Sequence, residues 1–348
     1  MFHGGGPRAF MDERVGRIYL THDLPGAGGR LKERPEDFFV EEIPLYPCTG
    51  EGDFAFLLVE TVNLSTLDLV ARLRRHLALE DHEVGLAGWK DKRAVTRQWV
   101  SVPRAHISQG SLGDLSAWGV SILEERRHPH KLRTGHLLGN RFSIFIREPK
   151  PQAVALARAV LGQLQASGLP NFYGSQRFGA SGDNPDEGLA ILRGKRRLRS
   201  PRKEKLLVSS STSLLFNLTL KERLERGLFT RLLRGDIAKK HDTGGLFHVI
   251  DPAAEQERAD RLEISPTGPI WGKKMMEARD EAAALEREIL GRQGLTPDIF
   301  RKQPGSRRTL RIPLKQITLR EEPDGLRLEF FLPKGSYATV LLDEIMKS

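Results

Sequence analysis

The chain has 348 residues, of which 39% are hydrophobic and 29% charged, and this favours two domains with packed cores. Its apolar stretches are shorter than the ~18–20 residues of a membrane span. The first residues lack the apolar segment of a secretory signal, and the single cysteine, Cys48, excludes an intramolecular disulfide or a cysteine-based metal cluster. We therefore expect a cytoplasmic protein without a membrane anchor, and the net charge of +10 favours a polyanionic partner such as nucleic acid.

The first half of the chain predicts both strands and helices. Apolar residues recur at helical spacing from Leu67 to Leu77, after the candidate N-caps Asn63 and Ser65. A second helix is predicted at 153–165, which is rich in alanine and leucine. Short runs of β-branched, aromatic and other apolar residues predict strands at 38–43, 54–60, 84–87, 98–102, 120–123 and 140–147.

The composition changes near Pro170, and glycine, arginine and loop residues dominate as far as about residue 310. We predict helices in this stretch at 213–226 and 278–292. An alternating strand then follows at 326–332, and a last helix at about 336–347. Strand-rich ends around a different middle predict a discontinuous catalytic domain, residues 1–168 plus 311–348, interrupted by an insertion domain at 169–310.

Basic residues are concentrated in three runs, which we expect to contact phosphate groups. The alternative is that they are solvated faces or loops without a ligand. The histidines of the second run do not have the spacing of a metal site. The runs are Arg193–Lys205, Arg126–His136 and Arg301–Arg311.

The sequence contains none of the common nucleotide-binding, serine-hydrolase, zinc-protease or dithiol motifs, which leaves carboxylates as the candidate reactive groups. Asp91 lies between Lys90 and Lys92, and adjacent cations favour an ionised carboxylate, as a nucleophile or base requires. An aspartate between two lysines is also typical of a surface turn or a helix cap. Composition and spacing alone therefore do not establish catalysis.

Four motifs extend from residue 35 to residue 339 and point to a known family. They are Pro35–Glu42 (PEDFFVEE), Ala87–Gln98 (AGWKDKRAVTRQ), Gly139–Phe142 (GNRF) with Pro170–Gly179 (PNFYGSQRFG), and Leu332–Thr339 (LPKGSYAT). In this order they resemble the TruD family of transfer-RNA pseudouridine synthases. The last motif more familiarly has phenylalanine where this chain has Tyr337, which retains an aromatic face and adds a hydroxyl.

The resemblance implies an α/β (α+β) fold, with a catalytic domain on a mixed, largely antiparallel sheet and a family-specific insertion domain. It implies an isomerase that converts a uridine of transfer RNA, typically position 13 in the D-arm, to pseudouridine without a cofactor or metal. Asp91 matches the catalytic aspartate of the family. The matching substrate-binding positions are Phe38, Lys90, Asn140, Phe142 and Tyr337. The implied partner is transfer RNA, and we expect a monomer.

Other interpretations of these residues remain open. Phe38 and Phe142 lie in strand patterns typical of core residues, and Asn140 after a glycine is typical of a turn. The glycine-flanked pair Gln176–Arg177 favours a rigid junction over an RNA contact. The chain as a whole could instead be a non-catalytic basic protein that binds or folds RNA, or a hydrolase that uses the same carboxylate.

Overall fold

A computed structural model describes residues 14–107 and 112–348, except for the side chain of Asp114. Residues 1–13, on which the expectation about a secretory signal depends, lie outside this part of the chain. The chain forms two units: the sheet unit, residues 27–158 and 315–335, and the middle unit, residues 14–26, 159–314 and 336–347. These boundaries differ from the predicted domain limits at 168 and 311, so the domain assignment stays a prediction.

The described residues form seven α-helices and fourteen strands. The helices are α1 (Thr66–Leu77), α2 (Ala153–Ser167), α3 (Asn184–Leu192), α4 (Pro201–Glu225), α5 (Pro252–Asp260), α6 (Asp280–Arg292) and α7 (Ala338–Met346). The strands are β1 (Phe38–Pro44), β2 (Phe54–Val62), β3 (Gly85–Leu86), β4 (Val95–Pro103), β5 (Val120–His128), β6 (Leu137–Arg147), β7 (Leu169–Pro170), β8 (Ile237–Lys240), β9 (Leu246–His248), β10 (Ile264–Ile270), β11 (Ser306–Thr309), β12 (Arg311–Ile312), β13 (Thr318–Glu322) and β14 (Gly325–Pro333).

The sheet unit is built on an eight-stranded sheet in the order β13-β14-β6-β1-β4-β2-β5, with β3 added beside β4. Strands β1 and β4 are parallel, with Phe39 opposite Val95, and the other pairs are antiparallel. The mixed α+β fold with a largely antiparallel sheet is therefore confirmed. Because β14 pairs along its whole length with β6, a late segment of the chain completes a sheet formed mostly by the first half.

Helix α1 packs on one face of this sheet and fixes the strand ends near residue 90. Ser65 is its N-cap, since the Ser65 hydroxyl accepts a hydrogen bond from the Asp68 amide at 3.1 Å. Leu69, Leu73 and Leu77 recur at helical spacing and are buried in a cluster with β2 and β4 residues. This packing holds α1 against the strands that flank the Asp91 segment.

The middle unit contains a four-stranded sheet, in the order β11-β10-β8-β9, that the sequence did not predict. Strand β10 has the sequence ISPTGPI, in which proline and glycine disfavour a strand. Pairing to β8 on one side and β11 on the other nevertheless keeps most of it buried. Tertiary pairing therefore outweighs local propensity here.

Helix α4 begins twelve residues before the predicted start at 213. Its first half is serine-rich, which disfavours a helix interior, but Ser200 caps it and Pro201 occupies its first turn. The hydroxyl of Ser213 donates to the Ser209 carbonyl at 2.8 Å, and Ser211 donates to the Pro185 carbonyl at 2.7 Å. Serine hydroxyls that bond to backbone carbonyls are compatible with the helix interior.

The prediction that the third basic run contacts phosphate is wrong for its inner arginines. The Arg307 side chain is 0% exposed and pairs with Glu286 at 2.5 Å. Arg311 is 1% exposed and donates to Ser265 and to the Ala259 carbonyl, and burial lowers the pKa of its guanidinium to about 10. Arg308 donates to the carbonyl and side-chain oxygens of Asn171. These arginines hold the middle unit together from inside.

In the part of the chain that the structure describes, no helix combines the length and the hydrophobicity needed to cross a membrane.

Candidate active site

The segment around Asp91 connects β3 to β4 and is tethered at its start, middle and end. The Ala87 carbonyl accepts a hydrogen bond from the Gly135 amide at 2.8 Å, and the Lys90 amide donates to the Thr66 hydroxyl at 2.8 Å. The Ala94 carbonyl accepts a bond from the Asn63 amide at 3.1 Å. A loop held at three points presents its side chains in a defined geometry, as a catalytic group requires.

Asp91 is paired with a cation that the sequence patterns did not reveal. Its Oδ2 lies 3.0 Å from Nζ of Lys32, and the two side chains are 36% and 14% exposed. Lys32 has a φ of +57°, in the left-handed region that non-glycine residues rarely occupy. Its ammonium also lies 4.2 Å from the centroid of the Phe38 ring. Asp91 is therefore a partly exposed carboxylate beside a cation that the fold holds in place.

Lys90 belongs to a second, buried network. Its Nζ donates to Glu42 at 3.0 Å and to the side-chain oxygen of Asn140 at 2.6 Å. The Lys90 and Glu42 side chains are 5% and 1% exposed. Burial raises the pKa of the Glu42 carboxyl, and the charge of Lys90 opposes that rise. Lys90 supports the Asp91 segment by joining it to β1 and β6.

The Asn140 amide has a specific orientation as a result. Its oxygen accepts from Lys90, which leaves the amide nitrogen as the donor. Among the described residues that nitrogen has no hydrogen-bond partner, and the side chain is half-buried. Asn140 can therefore donate to a carbonyl or hydroxyl oxygen of a ligand.

Phe38 and Phe142 lie in the core of the sheet unit, at 3% and 7% exposure. Their rings meet edge to face at 6.4 Å, and Phe142 stacks on Phe330 at 5.1 Å. Phe38 touches the site through Lys32, which lies over its ring. In this structure the two rings support the site from beneath, and their contact with a base stays a prediction.

Tyr337 lies in the middle unit, at the N-terminus of α7. Its ring meets Tyr173 at 6.0 Å, and Arg308 lies 3.9 Å above the Tyr173 ring. A Cβ on Gly174 would lie 2.9 Å from the Tyr337 ring, so glycine is required there. Burial raises the pKa of the Tyr337 hydroxyl, and the charges of Arg177 and Arg308 oppose the rise.

The Gln176–Arg177 motif also lies in the middle unit. The Arg177 guanidinium donates to the hydroxyls of Ser209 and Ser213 on α4. The structure thus shows an internal packing role for Arg177.

Of the six residues that the sequence assigned to catalysis or binding, all but Tyr337 lie in the sheet unit. The fold brings together Phe38, Lys90, Asp91, Asn140 and Phe142. It also brings Lys32 and Glu42 to the same site. Glu42 is the last residue of the first motif. Strand alternation places it on the same face as Phe38, and this pattern could have identified it as a site residue. Lys32 had no local signal, because its partner is 59 residues away in the sequence.

No group of three or more histidine, cysteine or carboxylate side chains in the described residues could hold a metal ion. The expectation that the reaction uses neither a metal nor a cofactor stays a prediction.

Comparison with known proteins agrees with these features. The family model for tRNA pseudouridine synthase D (TruD) matches residues 14–200 and 196–345. The chain is 50% identical over 329 residues to a tRNA pseudouridine synthase D of Thermus thermophilus, covering 94% of this chain and 92% of the relative. It is 40% identical to the protein of the same name in Syntrophotalea carbinolica, covering 95% and 99%.

A solved structure shares the fold. The crystal structure of a protein described as a putative tRNA pseudouridine synthase D (TruD) from Methanosarcina mazei superimposes with a TM-score of 0.76 at 22% identity, covering 97% of this chain and 98% of that one. The matches to the family model and to the Thermus relative extend over nearly the whole chain. The family model includes the segments that carry Asp91, Lys90 and Asn140. The chain therefore belongs to the tRNA pseudouridine synthase D family.

Proposed function

We propose that this protein isomerises one uridine of transfer RNA to pseudouridine, with Asp91 as the catalytic carboxylate. The observation that carries the proposal is the ion pair between Asp91 and Lys32 in a loop tethered at three points. An ionised, partly exposed and well-positioned carboxylate is the group that this reaction requires.

The chemistry follows from the bonds that change. The N-glycosidic bond breaks, the uracil turns, and carbon replaces nitrogen in the bond to C1′ of the ribose. Positive character at C1′ is stabilised by a neighbouring carboxylate, which can also bond to C1′ or act as a base on the sugar. We assign this role to Asp91. Lys32 orients the carboxylate before the substrate binds.

A uridine inside an RNA stack is unreachable, so the base must leave the stack before it reacts. The amide nitrogen of Asn140 is a donor for a polar atom of the extruded nucleotide. Tyr337 offers an aromatic face of the kind on which extruded RNA bases stack. The hydrogen bonds of Lys90 with Glu42 and Asn140 hold the Asn140 side chain in a fixed position relative to the Asp91 segment.

We further propose that the substrate position is residue 13 in the D-arm and that the run Arg193–Lys205 binds the RNA backbone. Eight of its residues are basic, and Glu204 is the only acidic one. Most of its side chains are exposed, at the start of α4 and in the loop before it. We also propose that the protein acts as a monomer in the cytoplasm, where transfer RNA is processed.

The test is incubation of the protein with transfer RNA transcribed without modifications, followed by chemical mapping of pseudouridine at single-nucleotide resolution. We expect conversion at one uridine of the D-arm and no free uracil. Release of uracil with an abasic sugar would instead identify a hydrolase. RNA refolding without any carbon-linked product would identify a non-catalytic RNA-binding protein.

A further inference from the structure

A cavity of about 240 Å³ lies within the sheet unit and shares one wall residue, Glu42, with the Lys90 network. Most of the other residues that line it are aromatic or apolar. They include Tyr46, Cys48, Phe56, Trp99 and His136. The cavity is several times larger than the ~30 Å³ that one water molecule occupies, and smaller than the ~300 Å³ at which pockets for drug-sized ligands begin. Its size suits a single planar ring system.

Two of the lining rings, Phe56 and Tyr46, pack on His128, which does not itself line the cavity. Phe56 lies 4.8 Å from His128, and His128 stacks on Tyr46 at 5.2 Å with an interplanar angle of 27°. The Tyr46 hydroxyl and Nδ1 of His136 are 2.7 Å apart, which fixes both rings. Nε2 of His136 has no partner among the described residues, so it is a polar group available to the edge of a ligand. Aromatic faces with a few fixed polar atoms are typical of sites for nucleobases.

An exposed arginine near the cavity, Arg133, favours a phosphate-bearing ligand. Arg126 lines the cavity and pairs with Glu124, which also lines it, and the exposed Arg133 has no ion-pair partner among the residues that the structure describes. Burial raises the pKa of the Tyr46 hydroxyl, and the charge of Arg133 opposes this rise, which places Arg133 near the ring. An unpaired arginine beside an aromatic pocket matches a base attached to a sugar-phosphate backbone.

The cavity is also connected to the catalytic segment. Glu42 lines the cavity and binds the ammonium of Lys90, whose neighbour in the chain is Asp91. A ligand in the cavity would therefore contact a residue that holds the Asp91 segment in place.

We infer that this cavity receives a second nucleobase of the RNA substrate, extruded close to the uridine that is isomerised. The inference rests on the proposed function, because it takes the RNA as the ligand of the same unit. Holding a second base outside the stack would keep the D-arm open and would set the register of the target uridine.

The single cysteine of the chain provides the test, because Cys48 lines the cavity and is partly exposed. Methyl methanethiosulfonate adds a small cap to the Cys48 thiol, and a reductant removes it. Burial raises the pKa of this thiol, so the reaction is done at mildly alkaline pH. We expect the capped protein to show a KM and a Kd for unmodified transfer RNA about tenfold higher, the effect of losing one stacked base, with a smaller change in kcat. Both constants should return on reduction.

Two controls make the result specific. The Cys48→Ser variant should give the same KM before and after treatment with the reagent. Substrates with one abasic nucleotide at each position next to the target uridine identify the occupant. At one of these positions the uncapped protein should lose affinity, and the difference between capped and uncapped protein should disappear.

Equal KM and Kd for capped and uncapped protein would overturn the inference, as would a difference that persists with every abasic substrate. If millimolar mononucleotides protected Cys48 while capping left the RNA constants unchanged, the cavity would bind a free nucleotide and the RNA assignment would be wrong. A protein that forms no pseudouridine before capping would contradict the proposed function, while the Kd for transfer RNA would still decide the role of the cavity.

Discussion

The two units of this protein use their basic residues in opposite ways. In the sheet unit, Lys32 and Lys90 lie on or beside the Asp91 segment and orient polar groups there. In the middle unit, Arg223, Arg307 and Arg311 are buried, and their partners are side chains and carbonyls of the same unit. The described basic residues therefore divide into those that orient polar groups of the Asp91 segment and those that pair inside the middle unit.

The largest effect that tests this comparison is expected from Lys32→Met. The change removes the cation that orients Asp91, and we expect pseudouridine formation to fall by about 10²- to 10³-fold, as for other charge-positioning groups. The melting temperature should change little, because the pair is partly exposed. Single-turnover kinetics with saturating transfer RNA measure the effect. Lys92→Met, at an exposed neighbour of Asp91, is the matched control, and an equal loss in both variants would contradict the special role of Lys32.

Arg307→Met should reduce stability and leave the chemical step unchanged, the reverse of what we expect for Lys32→Met. It leaves the buried carboxylate of Glu286 without its partner, and we expect a loss of about 3–5 kcal/mol in the free energy of unfolding. Denaturant titration measures this loss, and Arg301→Met, at an exposed arginine, is the control. Turnover by the folded fraction should be unchanged. A stable Arg307→Met variant with impaired chemistry would break the proposed division between the units.

Replacing Lys195, Arg197 and Arg199 with glutamine should weaken RNA binding without affecting the chemical step. Each phosphate contact contributes about one unit to the slope of log Kd against log salt concentration, so the slope should fall by about two to three. The kcat should stay within about twofold of wild type because these side chains lie outside the Asp91 network. Arg258→Gln with Arg261→Gln is the control, since both arginines pair with nearby glutamates. Equal slopes in all variants would mean that the run is a solvated face.

The smallest effect is expected from Asp343→Asn in α7. Burial raises the pKa of the Asp343 carboxyl to about 7, with Glu344 adding to the rise and Arg17 opposing it. In the unfolded chain this pKa is about 3.9. The folded state binds the proton more tightly, so this group destabilises it progressively as the pH rises from about 4 through 7.

Asp343→Asn removes that dependence. We expect the variant to be about 1 kcal/mol more stable than wild type at pH 8, a value reduced from the full shift because the side chain is partly exposed. The difference should vanish near pH 4. Thermal unfolding at several pH values measures it, and a constant difference at every pH would contradict the assigned pKa.

The sequence was most informative where local patterns and tertiary structure agree. The leucine spacing and Ser65 predicted α1, and the alternation at 140–147 predicted β6 except for its first three residues. Prediction from the sequence failed where the local structure depends on pairing with residues that are distant in the chain. Strand β10 was not predicted because it contains Pro266 and Pro269, and its strand geometry depends on pairing with β8 and β11. The first half of α4 was not predicted because it is rich in serine.

The candidate site shows the same limit. Asp91 stood out through its neighbours and its motif, whereas its ion-pair partner Lys32 could be found only from the fold. Arg307 and Arg308 resembled a phosphate-binding run until their burial was known. The sequence places these arginines close together along the chain, and only the fold shows that Arg307 pairs with a carboxylate of a distant segment.

The most direct test of the central claim is the Asp91→Asn variant, compared with wild type at matched occupancy by unmodified transfer RNA. Asparagine keeps the shape of the side chain and removes its charge and nucleophilicity. We predict that RNA affinity stays within about threefold while pseudouridine in the D-arm falls by at least about 10³-fold. Pseudouridine formed by Asp91→Asn at a rate close to that of wild type would contradict the assignment of Asp91 as the catalytic carboxylate.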